Sequence, residues 1–236
     1  MKKRWLPALL LCAVVYGTAY PQLPPVFHQT RQSQSTATVI RYLSPVNILW
    51  QTENATANII NEQRLLKPGN GQADLSNRDM CILKSDAKVK PALLFDFGKE
   101  LHGGLQMVTG MYPGNKPVKL RIRFGESASE AMSDIEPGQN ATNDHAMRDM
   151  IVEVPWLGTL EVGNTGFRFV RIDLLDENVE LQLKEVRAIF TFRDIPYLGS
   201  FNSSDTLLNK IWITGAYTVH LNMQDYLWDG IKRDRL

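Results

Sequence analysis

Apolar and polar residues alternate with a period of two along several stretches of the chain. The clearest stretch runs from Val118 to Phe124, where aliphatic or aromatic residues alternate with lysine and arginine. Such alternation predicts a β-strand with one buried and one solvated face. The residues expected in the core are Val118, Leu120, Ile122 and Phe124, and Lys119, Arg121 and Arg123 are expected on the wet face.

Other stretches support the same architecture. Residues 179–184 repeat the alternation, while 167–175 and 186–192 are denser in apolar and β-branched residues, as in strands covered on both sides. Turn-forming combinations such as Pro68-Gly69-Asn70-Gly71 separate the stretches. Gly103-Gly104 indicates a bulge or a close backbone approach. Many short strands without intervening long helices predict a mainly β fold, an antiparallel β-sandwich.

The period changes near Tyr197. Ser203-Ser204-Asp205 can cap a helix, and apolar residues then recur at helical spacing, at Leu207, Leu208, Ile211, Trp212, Gly215, Ala216 and Val219. A different domain is therefore expected to begin here. Because one amphipathic helix cannot build a domain, it either packs on the sandwich or belongs to a domain cut short at Leu236.

The amino terminus has the pattern of a secretory leader. Met1-Lys2-Lys3-Arg4 is basic, and the apolar run from Trp5 to Val15 is too short to span a bilayer. Gly17-Thr18-Ala19 supplies small residues for cleavage after Ala19, so the mature chain is expected to begin at Tyr20 and to be exported, to the periplasm or the cell surface. Residues 20–38 are rich in Pro, Gln, Ser and Thr, which favours a flexible lead-in.

Charge and cysteine usage narrow the function classes. The chain has 26 basic and 25 acidic residues, and the leader carries three of the basic ones, so no nucleic-acid partner is indicated. After loss of Cys12 with the leader, Cys81 has no internal disulfide partner, and a hydrophobic core must hold the exported domain.

The densest group of candidate functional residues lies at the carboxyl end. Asp229 and Asp234 are five residues apart, Trp228 precedes the first, and Arg233 precedes the second. Carboxylates can hold sugar hydroxyls or protonate a leaving oxygen, and aromatic rings stack on pyranose rings, so this pattern suits a sugar-cleaving site. On composition alone, a solvated charged loop is the commoner interpretation.

A family resemblance changes that balance. The run Asp229-Gly-Ile-Lys-Arg233-Asp234-Arg235-Leu236 resembles the start of the D-x-x-x-R-[DE]-x-L-x-W-x-G-D signature of bacterial α-L-rhamnosidases of the six-hairpin, α/α-barrel type. Three segments resemble the β-sandwich domain of such enzymes: 96–104, 125–130 and 166–171. Two later segments, 199–205 and 208–212, resemble the start of their barrel.

The resemblance implies hydrolysis of terminal α-L-rhamnosyl bonds with inversion, on a rhamnose-containing glycan or glycoside, without a metal or organic cofactor. It places Asp234 at the general-acid position, although the family more often has glutamate there, and assigns substrate binding to Asp229, Trp228 and Arg233. The catalytic base of the family lies downstream, so the chain alone is expected to be inactive.

The implied organisation has four parts: a signal peptide at 1–19, the lead-in at 20–38, the β-sandwich at 39–196, and the first helix of a truncated α/α barrel at 197–236. After leader cleavage no membrane association is expected, and the partner of the sandwich is the missing catalytic barrel. Two alternatives remain open. In the first, the chain is a stand-alone secreted carbohydrate-binding module. In the second, the barrel acts on a sugar other than rhamnose, since a fold does not fix the substrate.

Other polar residues receive no role. The loop Asn143-Asp144-His145 matches no metal-site spacing. His28, His102 and His220 are scattered along the chain, and a lone histidine is more often a structural hydrogen-bonder than a ligand.

Overall fold

The computed structural model describes residues 38–53, 55–76, 78–134 and 148–232. The expected signal peptide, its cleavage point after Ala19 and the lead-in up to Ala37 lie outside the described residues, as does Asn143-Asp144-His145. The described residues from Thr38 onward belong to one compact unit.

Within the described ranges, this unit contains nine strands, two α-helices and one 3₁₀ helix. The strands are β1 Thr38–Leu43, β2 Asn47–Gln51, β3 Ile59–Ile60, β4 Cys81–Lys84, β5 Ala92–Thr109, β6 Val118–Gly125, β7 Arg148–Val154, β8 Thr159–Leu174 and β9 Glu180–Arg193. The 3₁₀ helix is Glu62–Leu66, and the α-helices are α1, Ala128–Met132, and α2, Thr206–Asn222. No helix within the described ranges has the length and apolar character needed to cross a membrane.

All strand pairs described are antiparallel, and the sheet runs in the order β3-β4-β9-β5-β8-β6-β7. β1 pairs with β9, and β2 pairs with the first half of β5. The pairing of β5 with β8 shifts register twice, between Asp96 and Leu101 and between Gly103 and Leu105. Bulges of this kind bend a strand, and the sheet forms a β-sandwich around one main core, with a small second cluster of Leu94, Ala131 and Phe169.

The expected bulge at the two adjacent glycines is confirmed. Gly103 has a φ of 140°, a backbone conformation that side-chain-bearing residues rarely adopt. A Cβ atom there would lie 1.9 Å from the carbonyl oxygen of Ile189, and one on Gly104 would lie 2.5 Å from that of Gly163. Only glycine therefore allows β5 to approach β8 and β9 this closely.

The predicted strand at 118–124 is confirmed as β6. Leu120, Ile122 and Phe124 are fully buried, and Val118 is nearly so. Phe124 packs edge-on against Phe167 of β8 with ring centroids 5.0 Å apart. The free thiol of Cys81 is buried in the same core, and burial raises its pKa to about 12.

The strands predicted at 179–184 and 186–192 are present and form one long strand, β9, whose pairing with β5 shifts register between Val108 and Thr109. One sequence-based expectation was wrong in detail. Arg123 does not lie on a solvated face, since it is only 2% exposed. Its guanidinium pairs with Asp134 at 3.0 Å and with Asp173 at 3.1 Å. These carboxylates compensate a charge that the alternation had placed in water.

The helix expected after Tyr197 is present as α2. As predicted, Asp205 caps it, with a side-chain oxygen that accepts a hydrogen bond from the Leu207 amide at 2.8 Å. The apolar positions along most of the helix are exposed, and only its last turn, at Leu221 and Asn222, is buried. The helix thus contacts the sandwich through its carboxyl-terminal end and leaves most of its apolar side uncovered within the described residues.

Candidate functional site

The segment Met223–Lys232, which follows α2, carries Trp228 and Asp229 across the end of the sandwich. We call it the terminal segment. Its start is held at the end of β9, where the Arg193 guanidinium donates to the Gln224 carbonyl at 2.5 and 3.1 Å. The Gln224 side chain donates to the Thr191 carbonyl at 3.2 Å. His220 of α2 donates through Nε2 to the Arg193 carbonyl at 2.5 Å. Helix end and strand end are thereby joined by hydrogen bonds.

A second anchor is apolar. Ile231 is partly buried against the main core, directly over Gly166 of β8. A Cβ atom at position 166 would lie 2.2 Å from the Ile231 side chain. The missing side chain of Gly166 therefore makes the room that Ile231 occupies.

A third anchor is electrostatic and lies at Lys232. Its ammonium group contacts the Glu130 carboxylate and lies 3.6 Å from that of Glu126. Its carbonyl accepts a hydrogen bond from Arg148 at 2.9 Å. Ser127 caps α1 by accepting a hydrogen bond from the Glu130 amide at 3.1 Å. This cap presents Glu130 toward Lys232, so the short 125–130 motif has a structural use in holding the terminal segment.

Beside Lys232 lies the half-buried carboxyl group of Glu100, which the sequence did not indicate. Burial raises the pKa of Glu100 to about 8, and the neighbouring Glu126 and Glu130 push it in the same direction while Lys232 and Arg168 oppose them. One carboxyl oxygen of Glu100 is buried and has no hydrogen-bond partner among the described atoms. At this pKa the carboxyl group keeps its proton at neutral pH, because burial disfavours the charged form. The raised pKa of Glu100 depends on its burial and on charged neighbours that are distant in sequence, so it cannot be predicted from the sequence pattern.

A polar pocket opens where β5, β8, β9 and the terminal segment meet. Its volume is about 250 Å³, and its lining includes His102, Asn164, Thr191, Gln224, Asp225 and Trp228. Asn164 lies in the bulged part of β8, opposite the two glycines of β5. The pocket combines an indole ring with amide, imidazole, hydroxyl and carboxylate groups, a set that suits hydroxyl-bearing ligands. Sequence reasoning gave His102 no role and did not identify Asn164 or Asp225.

The structure places the predicted site residues in different surroundings. Trp228 is half-buried in the polar pocket, its amide donates to the Asn222 carbonyl at 3.0 Å, and its ring lies edge-on to Tyr226. Asp229 is exposed and does not line the pocket. Arg233 and Asp234 lie outside the described residues.

No metal centre emerges from the part of the chain that the structure describes, because no three His, Cys, Asp or Glu side chains there are grouped to hold an ion. Asp149, beside the predicted polar loop, accepts hydrogen bonds from Arg121 at 2.9 and 3.1 Å. This carboxylate is therefore engaged in joining β6 and β7.

The solved structures that resemble this chain include two rhamnosidases. A rhamnosidase from Klebsiella oxytoca with rhamnose bound superposes with a TM-score of 0.58 at 20% identity, over 89% of this chain and 40% of that one. A GH78 family rhamnosidase of Bacillus sp. GL1 superposes with a TM-score of 0.52 at 17% identity, over 72% of this chain and 16% of that one. This chain thus spans less than half the length of either enzyme. At these identities the likeness shows the fold alone.

A comparison with curated protein sequences gave no match. The glycosyl hydrolase family 78 alpha-rhamnosidase N-terminal domain, in contrast, matches residues 72–190, about half of the chain. The matched region runs from before β4 into β9 and includes Gly166, Glu126 and Glu130, which hold the terminal segment. The chain belongs to the glycosyl hydrolase family 78 alpha-rhamnosidase N-terminal domain family.

Proposed function

We propose that the whole protein is an exported α-L-rhamnosidase, and that this domain positions the peptide that begins its catalytic motif. The observation that carries the proposal is the threefold anchoring of the terminal segment, by Arg193, Gly166 and Glu130, up to the residue before Arg233. Catalytic groups must be held within a fraction of an ångström of the productive geometry, and rigid sheet elements do this better than free loops.

The proposed chemistry is hydrolysis of a terminal α-L-rhamnosyl bond with inversion. Asp234 protonates the leaving oxygen, Asp229 and Arg233 hold sugar hydroxyls, and Trp228 offers a ring to stack on the sugar. The exposure of Asp229 supports its role, because a carboxylate open to solvent is accessible to a substrate. An inverting mechanism needs a second carboxylate roughly 6.5–9.5 Å away as base for the attacking water. We assign that base to sequence that follows this domain.

Export is part of the proposal and rests on the amino-terminal pattern. The basic residues Lys2, Lys3 and Arg4 and the short apolar run that follows them are typical of a secretory leader. Amino-terminal sequencing of protein recovered from the periplasm or medium is expected to start near Tyr20. An intact Met1 on a cytoplasmic pool would count against export.

The enzymatic proposal is tested with the product of the complete reading frame, compared with the 236-residue chain. The first is expected to hydrolyse aryl α-L-rhamnosides and to release β-rhamnose first, as followed by proton NMR of the anomeric signal. The 236-residue chain is expected to show no turnover. A panel of other aryl glycosides tests the sugar, and hydrolysis of a different glycoside alone would reject rhamnose as substrate.

A second candidate function is sugar binding without catalysis, and the polar pocket favours it. In that case, sugar binds to the 236-residue chain while the complete product hydrolyses none of the glycosides. Hydrolysis by the complete product decides for the enzyme.

A further inference from the structure

The polar pocket lies at a junction that only the tertiary structure creates. β5 contributes His102, the bulge of β8 contributes Asn164, and β9 contributes Thr191. The terminal segment closes the pocket with Asp225 and Trp228. Trp228 directly precedes Asp229, the residue assigned above to substrate binding, in sequence.

His102 offers hydrogen-bonding capacity that the fold does not use. Its Nδ1 atom is buried and has no hydrogen-bond partner among the described residues. Burial lowers the pKa of His102 below its ordinary value, although the carboxylate of Asp225 acts in the opposite direction. Each ring nitrogen of a neutral imidazole is either a donor or an acceptor, and a hydroxyl group can pair with either state.

Gln224 presents a defined acceptor. Its side-chain nitrogen donates to the Leu221 carbonyl at 2.9 Å and to the Thr191 carbonyl at 3.2 Å. Because carbonyl oxygens only accept, these two contacts fix the orientation of the amide and leave its oxygen as the group available to a ligand. A buried amide held in one orientation costs little further entropy when it binds a ligand.

The charge and size of the pocket define the ligand class. Among the described residues that line it, Asp225 is the only charged one, and none is Lys or Arg. An acidic ligand would therefore meet a carboxylate without a compensating cation, which disfavours phosphates and uronic acids. A volume of about 250 Å³ lies just below the range of about 300–1,000 Å³ that is usual for drug-sized ligands, and this suits one sugar ring. Trp228 can cover the apolar face of such a ring.

We propose that this pocket is a subsite for one neutral sugar ring, with His102, Asn164, Gln224 and Asp225 as hydrogen-bonding groups and Trp228 as the stacking surface. The inference rests on the proposed function in that it adds a subsite beside the cleaved sugar. The subsite requires binding of a sugar but no hydrolysis. The subsite can therefore be upheld or rejected independently of the enzymatic proposal.

The test measures binding of neutral and acidic sugars to the 236-residue chain by saturation-transfer NMR and calorimetry. The probes are methyl α-L-rhamnopyranoside and methyl β-D-glucopyranoside, with D-glucuronic acid as the acidic comparison. We expect saturable binding of at least one neutral probe with a Kd on the order of 1 mM, as suits a ligand of this size. The glucuronate is expected to bind at least about tenfold more weakly.

Two variants locate the binding. Asp225→Asn and Asn164→Ala change exposed side chains of the pocket and are expected to weaken binding by about threefold or more, since each removes a hydrogen bond or its charge. Asp194→Asn is the matched control, because Asp194 is also exposed but does not line the pocket, and this variant is expected to bind the probes as the parent does.

The inference is overturned by absence of saturable binding of either neutral probe, by equal binding of glucuronate, or by unchanged binding in both pocket variants. Binding of a neutral probe in this test together with no hydrolysis by the complete product would uphold the pocket and reject the enzyme.

Discussion

Ile231 occupies space above Gly166 that any other residue at position 166 would fill. A Cβ atom there would come within 2.2 Å of two Ile231 side-chain carbons. Gly166 pairs with His102 of β5, so the contact connects the centre of the sandwich to the terminal segment. The two residues are far apart in sequence, and their contact fixes the peptide that leads into Arg233 and Asp234.

Gly166→Ala is therefore expected to displace Ile231 and loosen the terminal segment. Overpacking of this kind costs about 1–3 kcal/mol. The Trp228 amide, which donates to the Asn222 carbonyl at 3.0 Å, should exchange its hydrogen faster, as measured by native-state hydrogen exchange. Gly199→Ala is the control, since a Cβ atom on Gly199 meets nothing within 4 Å. Unchanged protection of Trp228 in Gly166→Ala would contradict the anchoring role.

The ion pair of Lys232 with Glu130 is expected to contribute to stability. The Lys232 side chain is only 11% exposed and that of Glu130 is 22% exposed, so water screens the pair less than a surface pair. A double-mutant cycle with Lys232→Met and Glu130→Gln, measured by urea unfolding, should give a coupling free energy of about 0.5–3 kcal/mol. The exposed pair Lys90 and Glu177 serves as control and should give between about 0 and 1 kcal/mol. Equal coupling in both cycles would show that Lys232 is not an anchor.

Stability should fall as pH rises through neutrality because of Glu100. Burial raises its pKa from 4.5 to about 8, so the folded state holds this proton more tightly than the unfolded state. The stabilisation is fully present below the unfolded pKa and is lost as pH rises through about 8. Glu100→Gln should remove this dependence and raise the free energy of unfolding relative to the parent at about pH 9 more than at about pH 5. Urea unfolding at both pH values measures it.

The control for Glu100 is Glu177→Gln, which changes an exposed carboxylate on the same domain. It should leave the slope of stability against pH as in the parent. If the free energy of unfolding changes equally between the two pH values in Glu100→Gln and in the parent, the carboxyl group of Glu100 does not titrate in this range.

Substitutions of Asp229 and Asp234 should differ in which substrates they affect. A positioned general acid is worth about 10²–10⁴ in rate. In the complete product, Asp234→Asn should lose most turnover on rhamnosides with poor leaving groups and much less on activated aryl rhamnosides, whose leaving group needs little protonation. Asp229→Asn should harm both substrates alike, because binding the sugar does not depend on what leaves. Asp194→Asn should match the parent. Unchanged rates of Asp234→Asn on both substrates would refute the assignment.

The sequence by itself determined the local elements. Alternation from Val118 to Phe124 specified strand β6 and its buried face, because a strand with one buried face has a period of two that shows in the sequence. The capping residue Asp205 specified the start of α2 for an equally local reason, the unsatisfied amides of the first helical turn. The terminal motif indicated the family because its residues are neighbours in the chain.

The tertiary structure decided what depends on residues that are distant in sequence. The burial of Arg123 depends on Asp134 and Asp173, which only the folded chain brings to it. β9 is one continuous strand that pairs in turn with β4, β5 and β1, which lie far from it in sequence. Likewise, no pattern in the neighbouring sequence indicates the raised pKa of Glu100 or the ion pair between Glu130 and Lys232. The raised pKa of Glu100 and the polar pocket around His102 and Trp228 arise from burial and from the meeting of separate strands, and neither can be read from a pattern along the chain.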